Sequence, residues 1–274
     1  MKRESKAVWI LLLLLGVGIM LYPTVANLWN SKAQAQSIET YIAHFEGLDE
    51  AEKKRLWENA KEYNTKIQTG ENPLFLKEEL QSEYEKTLII DGSGIIANIS
   101  IPALDLRLPI YHDTSAAVLQ AGVGHIPWSS LPIGGAGTHC VLSGHNGLPS
   151  SELFSGIPSL VPGDIFVIEI LGEKLQYQVY ETETVLPNET DDLRIIPGKD
   201  LCTLVTCVPY GINSHRLLVH GERYSPDTMG DMLLIYNDVR AVPKTFFWLI
   251  AFLPLTLEGL LSLRVALIQR KTRR

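Results

Sequence analysis

The chain begins with a long apolar run. Residues 7–28 contain no Asp, Glu, Lys, Arg or His, and these 22 residues are enough to span a bilayer as a helix. Three basic side chains and one acid precede the run: Lys2, Arg3, Lys6 and Glu4. This excess of positive charge indicates a cytoplasmic N-terminus. A signal peptide cleaved after "AQA" at 33–35 is the competing interpretation, but signal-peptide cores are shorter, about 7–15 residues, so we favour an uncleaved anchor.

A second apolar segment lies near the C-terminus. Residues 245–263 contain one charged residue, Glu258, and are expected to form a second transmembrane helix. A basic cluster follows: Arg264, Arg270, Lys271, Arg273 and Arg274. With both basic ends in the cytoplasm, residues of about 30–240 lie outside the cell membrane. A helix lying in the membrane surface is the alternative, because Glu258 interrupts the apolar run.

Between these segments the pattern is first helical and then β. Residues 31–67 are predicted to be helical, with Asp49 as an N-cap and Glu52 three residues further on. Residues 68–84 contain Gly and Pro, which interrupt a helical pattern, so we predict an extended loop there. Long loops in compact domains often act as lids over a functional site.

Short runs with β-type alternation begin at Gly94. Seven are predicted as strands: 94–102, 106–111, 138–144, 164–170, 174–185, 201–207 and 215–223. Short helices are predicted at 118–121 and 151–154. Seven or eight short strands without regular helical crossovers predict a mainly β fold, an antiparallel barrel or sandwich.

The predicted organisation has seven parts, with the β domain extracellular in a protein that spans the membrane twice. They are a cytoplasmic N-terminus (1–6), a transmembrane helix (7–28), a helical extension with a candidate lid loop (29–93), a β domain (94–226), a juxtamembrane linker (227–244), a second transmembrane helix (245–263) and a basic cytoplasmic tail (264–274).

The net charge and the cysteine content exclude some classes of function. The net charge of −7 argues against nucleic acid as a partner. Three cysteines in an exported domain are an odd number, so at least one thiol is unpaired unless chains cross-link. The chain has no C-x-x-C or H-x-x-x-H spacing, so a zinc site is not expected. A free thiol outside the cytoplasm favours a functional role for one of the cysteines.

Cys207 stands apart from the other two cysteines. It ends the run "LCTLVTC" and is followed by Pro209, which stops the strand. Alternation along the strand puts Cys202 and Cys207 on opposite faces, so they are not expected to form a disulfide. Cys140 and Cys202 lie within strands and are expected in the core. Burial for packing is the other interpretation of Cys207, but a thiol at a strand end can reach a substrate.

A cysteine nucleophile needs a proton donor, which is most often histidine. His145 follows a predicted strand in "SGHNGLP", and His125 in "GVGHIPW" is a close second candidate. Arg216 begins an otherwise apolar strand, where an unpaired charge would be costly. Near a thiolate it would lower the pKa of the thiol and stabilise an oxyanion, and a structural salt bridge is the alternative.

Taken together, these residues resemble the sortases, the membrane-bound cysteine transpeptidases of Gram-positive bacteria. "TLVTC" at 203–207 matches the family's TLxTC signature, "SGHNGLPSSELF" resembles its histidine segment, and "NSHRLLVHG" resembles its arginine strand. The likeness covers about 94–224. It implies a closed, seven- to eight-stranded sortase-type β-barrel in which Cys207 is the nucleophile, His145 the general acid/base and Arg216 the stabiliser of the oxyanion or substrate.

The resemblance also implies the reaction. Cys207 would attack the Thr–Gly bond of an LPxTG-like sorting signal, and an amine would resolve the thioester. A thioester conserves the energy of the broken peptide bond, so no ATP is needed. The expected partners are pilins or other surface proteins with C-terminal LPxTG-like signals, together with the cytoplasmic membrane. Neither a cofactor nor nucleic acid is expected.

Two membrane spans and a long N-terminal extension resemble class C, the pilin-polymerising sortases, which would use a pilin lysine as the amine. Members of that class often carry an Asp-Pro-aromatic lid over the active site. The matching residues here form a candidate lid with an amide in place of the carboxylate: Asn72, Pro73, Leu74 and Phe75. An amide cannot pair ionically with Arg216, so this chain departs from the class pattern.

A second departure follows the histidine, where Asn146 replaces the arginine that is common in pilus sortases. Neither change touches the three catalytic candidates. Two alternatives stay open: a cell-wall-anchoring sortase that uses a peptidoglycan-precursor amine, and a non-catalytic, membrane-anchored pilus or surface component.

Overall fold

The computed structural model describes residues 3–68 and 78–225. The chain divides into two compact units, of which the larger comprises residues 27–240, and the N-terminal residues up to Ala26 belong to the other. The predicted second transmembrane helix at 245–263, the linker and tail beside it, and the candidate lid at 72–75 lie outside the described residues.

Three helices precede the β domain: α1 (Arg3–Glu46), α2 (Glu50–Gln68) and α3 (Glu78–Tyr84). The helix predicted over 31–67 is interrupted at 47–49. There Asp49 Oδ1 accepts a 2.7 Å hydrogen bond from the backbone N–H of Glu52, so the predicted N-cap begins α2. The N-terminal part of α1 is long and apolar enough to cross a membrane, with a mean hydropathy of 2.3.

Ten strands lie between residues 78 and 225. They are β1 (Ile95–Ile101), β2 (Leu106–Tyr111), β3 (Val123–His125), β4 (Thr138–Ser143), β5 (Asn146–Leu148), β6 (Ser151–Leu153), β7 (Ile165–Ile170), β8 (Glu173–Val185), β9 (Asp200–Val208) and β10 (His215–Tyr224). Eight of them close a barrel in the order β1-β2-β3-β4-β9-β10-β8-β7, and β5 and β6 form a separate hairpin. The short helix α4 (Ala116–Ala121) and three 3-10 turns, Pro102–Leu104, Phe154–Ser159 and Asp191–Leu193, complete the fold.

The closed barrel confirms the predicted mainly β fold, but its strand pairing is mixed. All seven predicted runs coincide with strands, and β3 is the eighth. β2 pairs with β3 and β4 pairs with β9 in parallel, so the prediction of an antiparallel sheet was wrong at these two places. A parallel pair requires a crossover connection, and α4 lies in the connection between β2 and β3.

Two local predictions were also wrong. Residues 151–153 form β6 and not a helix, because their backbone pairs with β5, with Leu148 opposite Ser151. The predicted loop at 68–84 ends in the helix α3. Its Leu80 packs on the main core and Tyr84 is fully buried, so packing against the core stabilises this short helix.

The helical extension shares its core with the barrel. Tyr63 of α2 and Tyr84 of α3 belong to the same buried cluster as Ile99 and Phe166 of the barrel strands. Tyr41 of α1 is also buried, and its hydroxyl donates a 2.7 Å hydrogen bond to the carbonyl oxygen of Ile96. The extension is therefore an integral part of the larger unit.

Candidate active site

Cys207 is the accessible thiol of the chain. All three cysteines are free, and Cys140 and Cys202 are buried side by side on the paired strands β4 and β9. Burial raises the pKa of the Cys202 thiol well above its ordinary value, which keeps that thiol protonated. Cys207 lies at the end of β9, where the run of buried residues stops, and it is partly exposed. Cys207 is therefore the one cysteine of the three that is not buried.

Arg216 lies directly opposite Cys207 in the antiparallel register of β9 and β10. Its Nη1 donates hydrogen bonds to the carbonyl oxygens of Asn213, at 3.2 Å, and His215, at 3.0 Å. Among residues 3–68 and 78–225, no acid forms an ion pair with it. Within that part of the chain the salt-bridge interpretation has no support, and the hydrogen-bond partners of the guanidinium are backbone carbonyls.

His145 is held beside the same strand end by its two neighbours in the chain. The N–H of Gly144 donates to the Val205 carbonyl at 3.0 Å, and the Thr206 hydroxyl donates to the Gly144 carbonyl at 2.7 Å. On the other side, Asn146 Nδ2 donates to the Cys207 carbonyl at 2.9 Å. Half-buried His145 therefore lies at the end of the barrel that carries Cys207.

Asn146 is the residue that sequence reasoning did not single out as functional. Its amide is a direct side-chain contact from the histidine segment to the backbone of Cys207. In the sequence it was visible only as an unusual residue after His145, and that departure was the available signal. The two residues are 61 positions apart, so the contact becomes apparent only in the folded barrel.

The second histidine candidate, His125, has a structural role. It is fully buried, and its Nε2 donates to the Ser130 carbonyl at 2.9 Å because a carbonyl can only accept. Its Nδ1 is then an acceptor for the Tyr84 hydroxyl at 3.0 Å. Both ring nitrogens are occupied by partners within the protein, so His125 is not free to exchange a proton with a substrate.

Two further histidines, His139 and His220, are held by buried hydrogen bonds. His139 Nδ1 donates to the Arg194 carbonyl at 2.9 Å, and its Nε2 therefore accepts from the Thr203 hydroxyl at 2.7 Å. Thr203 Oγ1 also lies 2.8 Å from His220 Nδ1, and His220 Nε2 donates to the Glu183 carboxylate at 2.9 Å. Burial, with the nearby His220 as a smaller cause, lowers the pKa of His139 to about 4, so His139 is neutral at pH 7. These contacts stabilise the strands behind the site.

The described residues offer no metal site, since they contain no group of three His, Cys, Asp or Glu side chains placed to hold an ion. The structure instead brings Cys207, His145 and Arg216 to one end of the barrel. A thiol, an imidazole and a guanidinium can act as nucleophile, proton carrier and oxyanion stabiliser in acyl transfer. This chemistry needs no bound cofactor.

Comparison with known proteins gives a consistent result. A family model described as a sortase domain matches residues 99–224. Sortase A of Bacillus anthracis is 32% identical over 133 residues, which cover 48% of this chain and 61% of that relative. The aligned part of the chain thus spans about three fifths of the relative's length.

Solved structures match over more of the chain. Sortase C1 of Streptococcus agalactiae has a TM-score of 0.68 and 45% identity, and the match covers 70% of this chain and 100% of that one. Sortase C of Clostridium perfringens, solved with the C-terminal cell wall sorting motif, has a TM-score of 0.62 and 38% identity, covering 70% and 100% of the two chains. Both of these structures are sortases of class C. The chain therefore belongs to the sortase family of cysteine transpeptidases.

Proposed function

We propose that this protein is a membrane-anchored transpeptidase that cleaves an LPxTG-like sorting signal and joins the acyl group, through a thioester on Cys207, to a lysine amine of a pilin. The observation that carries the proposal is the register that sets Arg216 opposite Cys207. The likeness to class C sortases, one of them solved with a cell wall sorting motif, supports the substrate class.

In the first half of the reaction, the Cys207 thiolate attacks the carbonyl carbon of the Thr–Gly bond. The oxygen of the tetrahedral intermediate becomes an oxyanion, and the Arg216 guanidinium stabilises that negative charge. When the C–N bond breaks, His145 donates a proton to the departing glycine nitrogen. The products are a thioester on Cys207 and a peptide that begins with glycine.

In the second half, a lysine amine attacks the thioester carbonyl carbon. His145, now neutral, accepts the proton that the amine loses, and Cys207 leaves as the thiolate. The new bond is an amide, so one amide is broken and one is formed. An acceptor amine must enter from the exposed side of Cys207, because the core side of β9 is closed by buried residues.

Membrane anchoring by α1 is part of the proposal. The exposed apolar side chains of residues 8–28 support an anchor, because monomeric soluble proteins rarely expose so large an apolar surface. The domain boundaries given above and the orientation with the β domain outside the cell belong to the same proposal. The charge balance of the N-terminal residues carries that orientation.

The decisive experiment is capture of the thioester. The full-length protein in detergent is mixed with an LPxTG-like peptide and analysed by mass spectrometry. We expect an acyl adduct on Cys207, no adduct and no cleavage with Cys207→Ala, and a retained adduct with the control Cys202→Ala. Peptide cleavage by Cys207→Ala at the wild-type rate would contradict the proposal.

The acceptor is tested in the same reaction. Wall-anchoring sortases use a peptidoglycan-precursor amine, and the likeness to a sortase A keeps this alternative relevant. The preformed thioester is offered a pilin with its acceptor lysine, the same pilin with that lysine changed to arginine, or a precursor peptide. Product with the lysine-bearing pilin alone supports pilin polymerisation, and product with the precursor alone supports wall anchoring.

A further inference from the structure

The C-terminal half of α1 presents one face to the β domain. Asn27, Asn30 and Gln34 follow one another at helical spacing, and the buried residues Ile38 and Tyr41 continue the same face. Three of these side chains are amides, whereas Ile38 and Tyr41 are a hydrophobic and an aromatic residue of the core. Amides are an unusual choice for packing alone, because each buried polar group must find a partner.

The three amides contact the hairpin β5–β6. Asn30 Nδ2 donates to the Ser150 carbonyl at 2.8 Å, and Asn27 Oδ1 accepts from the Glu152 N–H at 2.8 Å. Gln34 Nε2 lies 3.4 Å from the Ser151 hydroxyl and also donates to the Ala121 carbonyl at 3.0 Å. The helix therefore binds each of three consecutive residues, 150–152, in the turn and returning strand of the hairpin.

The opposite side of the same hairpin binds the catalytic strand. Its first residue, Asn146, donates to the Cys207 carbonyl, and the Phe154 N–H just beyond its end donates to the His145 carbonyl at 3.1 Å. His145 immediately precedes β5. A displacement of the hairpin would move His145 relative to the Cys207 sulfur.

We propose that Asn27, Asn30 and Gln34 are positioning residues, which fix the hairpin β5–β6 and through it the proton-transfer geometry of His145. The proposal rests on the proposed function, since it assumes that His145 exchanges protons with the substrate. It makes α1, the helix that also carries the membrane-spanning segment, a part of the catalytic apparatus. Errors of about 1 Å in such geometry can lower a rate up to a hundredfold.

The test uses substitutions of amide by acid, which keep side-chain shape. Asn30→Asp and Gln34→Glu each replace a donor with an oxygen that repels its carbonyl partner. Gln36→Glu is the control, because Gln36 is an exposed residue of α1 whose side chain makes no hydrogen bond within the described residues.

The full-length variants in detergent are compared with wild type for kcat, KM and melting temperature with the sorting peptide. We expect Asn30→Asp and Gln34→Glu to lower kcat about tenfold with KM and the melting temperature unchanged. Gln36→Glu, which adds the same charge to α1 away from the hairpin, should match wild type.

Three results would overturn the inference: an unchanged kcat in Asn30→Asp and Gln34→Glu, an equal loss in the control Gln36→Glu, or a loss of kcat accompanied by an equal loss of folded protein. These results count against the inference only if the wild-type protein forms the acyl adduct on Cys207. Failure of the wild type to form that adduct would instead contradict the proposed function, so the two failures are distinguishable.

Discussion

At the scale of the residue, Arg216 is unusual for a charged side chain on a strand. The strand continues into the buried residues Leu218 and Val219, yet the guanidinium has only backbone carbonyl partners within the described residues. Two carbonyls orient a guanidinium without neutralising its charge. The arrangement is suited to a negative charge that appears only during the reaction.

Replacing Arg216 with lysine tests whether the positive charge alone is enough for activity or whether the shape of the guanidinium is also needed. Arg216→Lys keeps the positive charge but loses the planar guanidinium, whose Nη1 bonds to the Asn213 and His215 carbonyls. We expect kcat to fall about a hundredfold, as for loss of an oxyanion donor, with peptide KM changed far less. Steady-state cleavage of the sorting peptide measures both values. Arg107→Lys, at a solvent-exposed ion pair with Glu169, is the matched control. A wild-type kcat in Arg216→Lys would contradict the oxyanion role.

Two of the three catalytic candidates stand out in the sequence by a local signal. Cys207 ends a strand, and Arg216 is a charge in an apolar run. The choice between His145 and His125 could not be made in this way. It depends on Tyr84, which occupies His125 from 41 residues away. Asn146 was missed for the same reason, since its partner is distant in the chain.

At the scale of the element, the hairpin β5–β6 joins the catalytic strand by close packing. Gly147 has a φ of +88°, and a Cβ atom there would overlap the ring of Tyr210, which follows β9. Glycine is required on both grounds, since a left-handed backbone disfavours other residues and the ring leaves no space. The hairpin can therefore lie flat against the loop after Cys207.

Gly147→Ala should lower both stability and activity. Gly163→Ala is a matched control, because Gly163 also has a positive φ, +102°, but no atom within 4 Å of the added Cβ. Both variants should lose about 1 kcal/mol or more of unfolding free energy through backbone strain. Only Gly147→Ala should also lower kcat, and Gly147→Ala combined with Tyr210→Ala should recover part of it. Equal kcat in the two single variants would show that the contact has no role in activity.

Element positions followed well from sequence wherever a local pattern defined them. Alternating apolar runs bounded by Gly and Pro marked seven of the barrel strands. β3 was missed because three residues carry no detectable period, and its place is set by pairing with β2 and β4. The predicted helix at 151–154 failed because strand pairing with β5 overrides local propensity.

At the scale of the whole molecule, buried histidines link folding to pH. Burial is the main reason that the pKa of both His112 and His139 is lowered to about 4, from an ordinary value of 6.5. The unfolded chain therefore binds protons that the folded protein does not. The stability from these groups is fully present above pH 6.5 and is lost as the pH falls toward 4.

We therefore expect the unfolding free energy of the full chain in detergent to decrease between pH 6.5 and 4, with a contribution of up to about 3 kcal/mol from each histidine. Urea unfolding followed by tryptophan fluorescence measures it. His139→Asn, which cannot take up a proton, should flatten this pH dependence although it lowers stability at pH 7. An undiminished slope in His139→Asn would assign the acid sensitivity to other groups.

The parallel pairing of β4 with β9 has a kinetic consequence. Gly144 and Thr206, which join across this pair, are 62 residues apart, and β7 and β8 lie between them in the chain. Closing so long a loop carries an entropic cost that is recovered only when both strands have docked. Contacts of high sequence separation slow folding. His145 and Cys207 can thus come together only after the intervening strands have been synthesised, so we expect the candidate site to form late in folding.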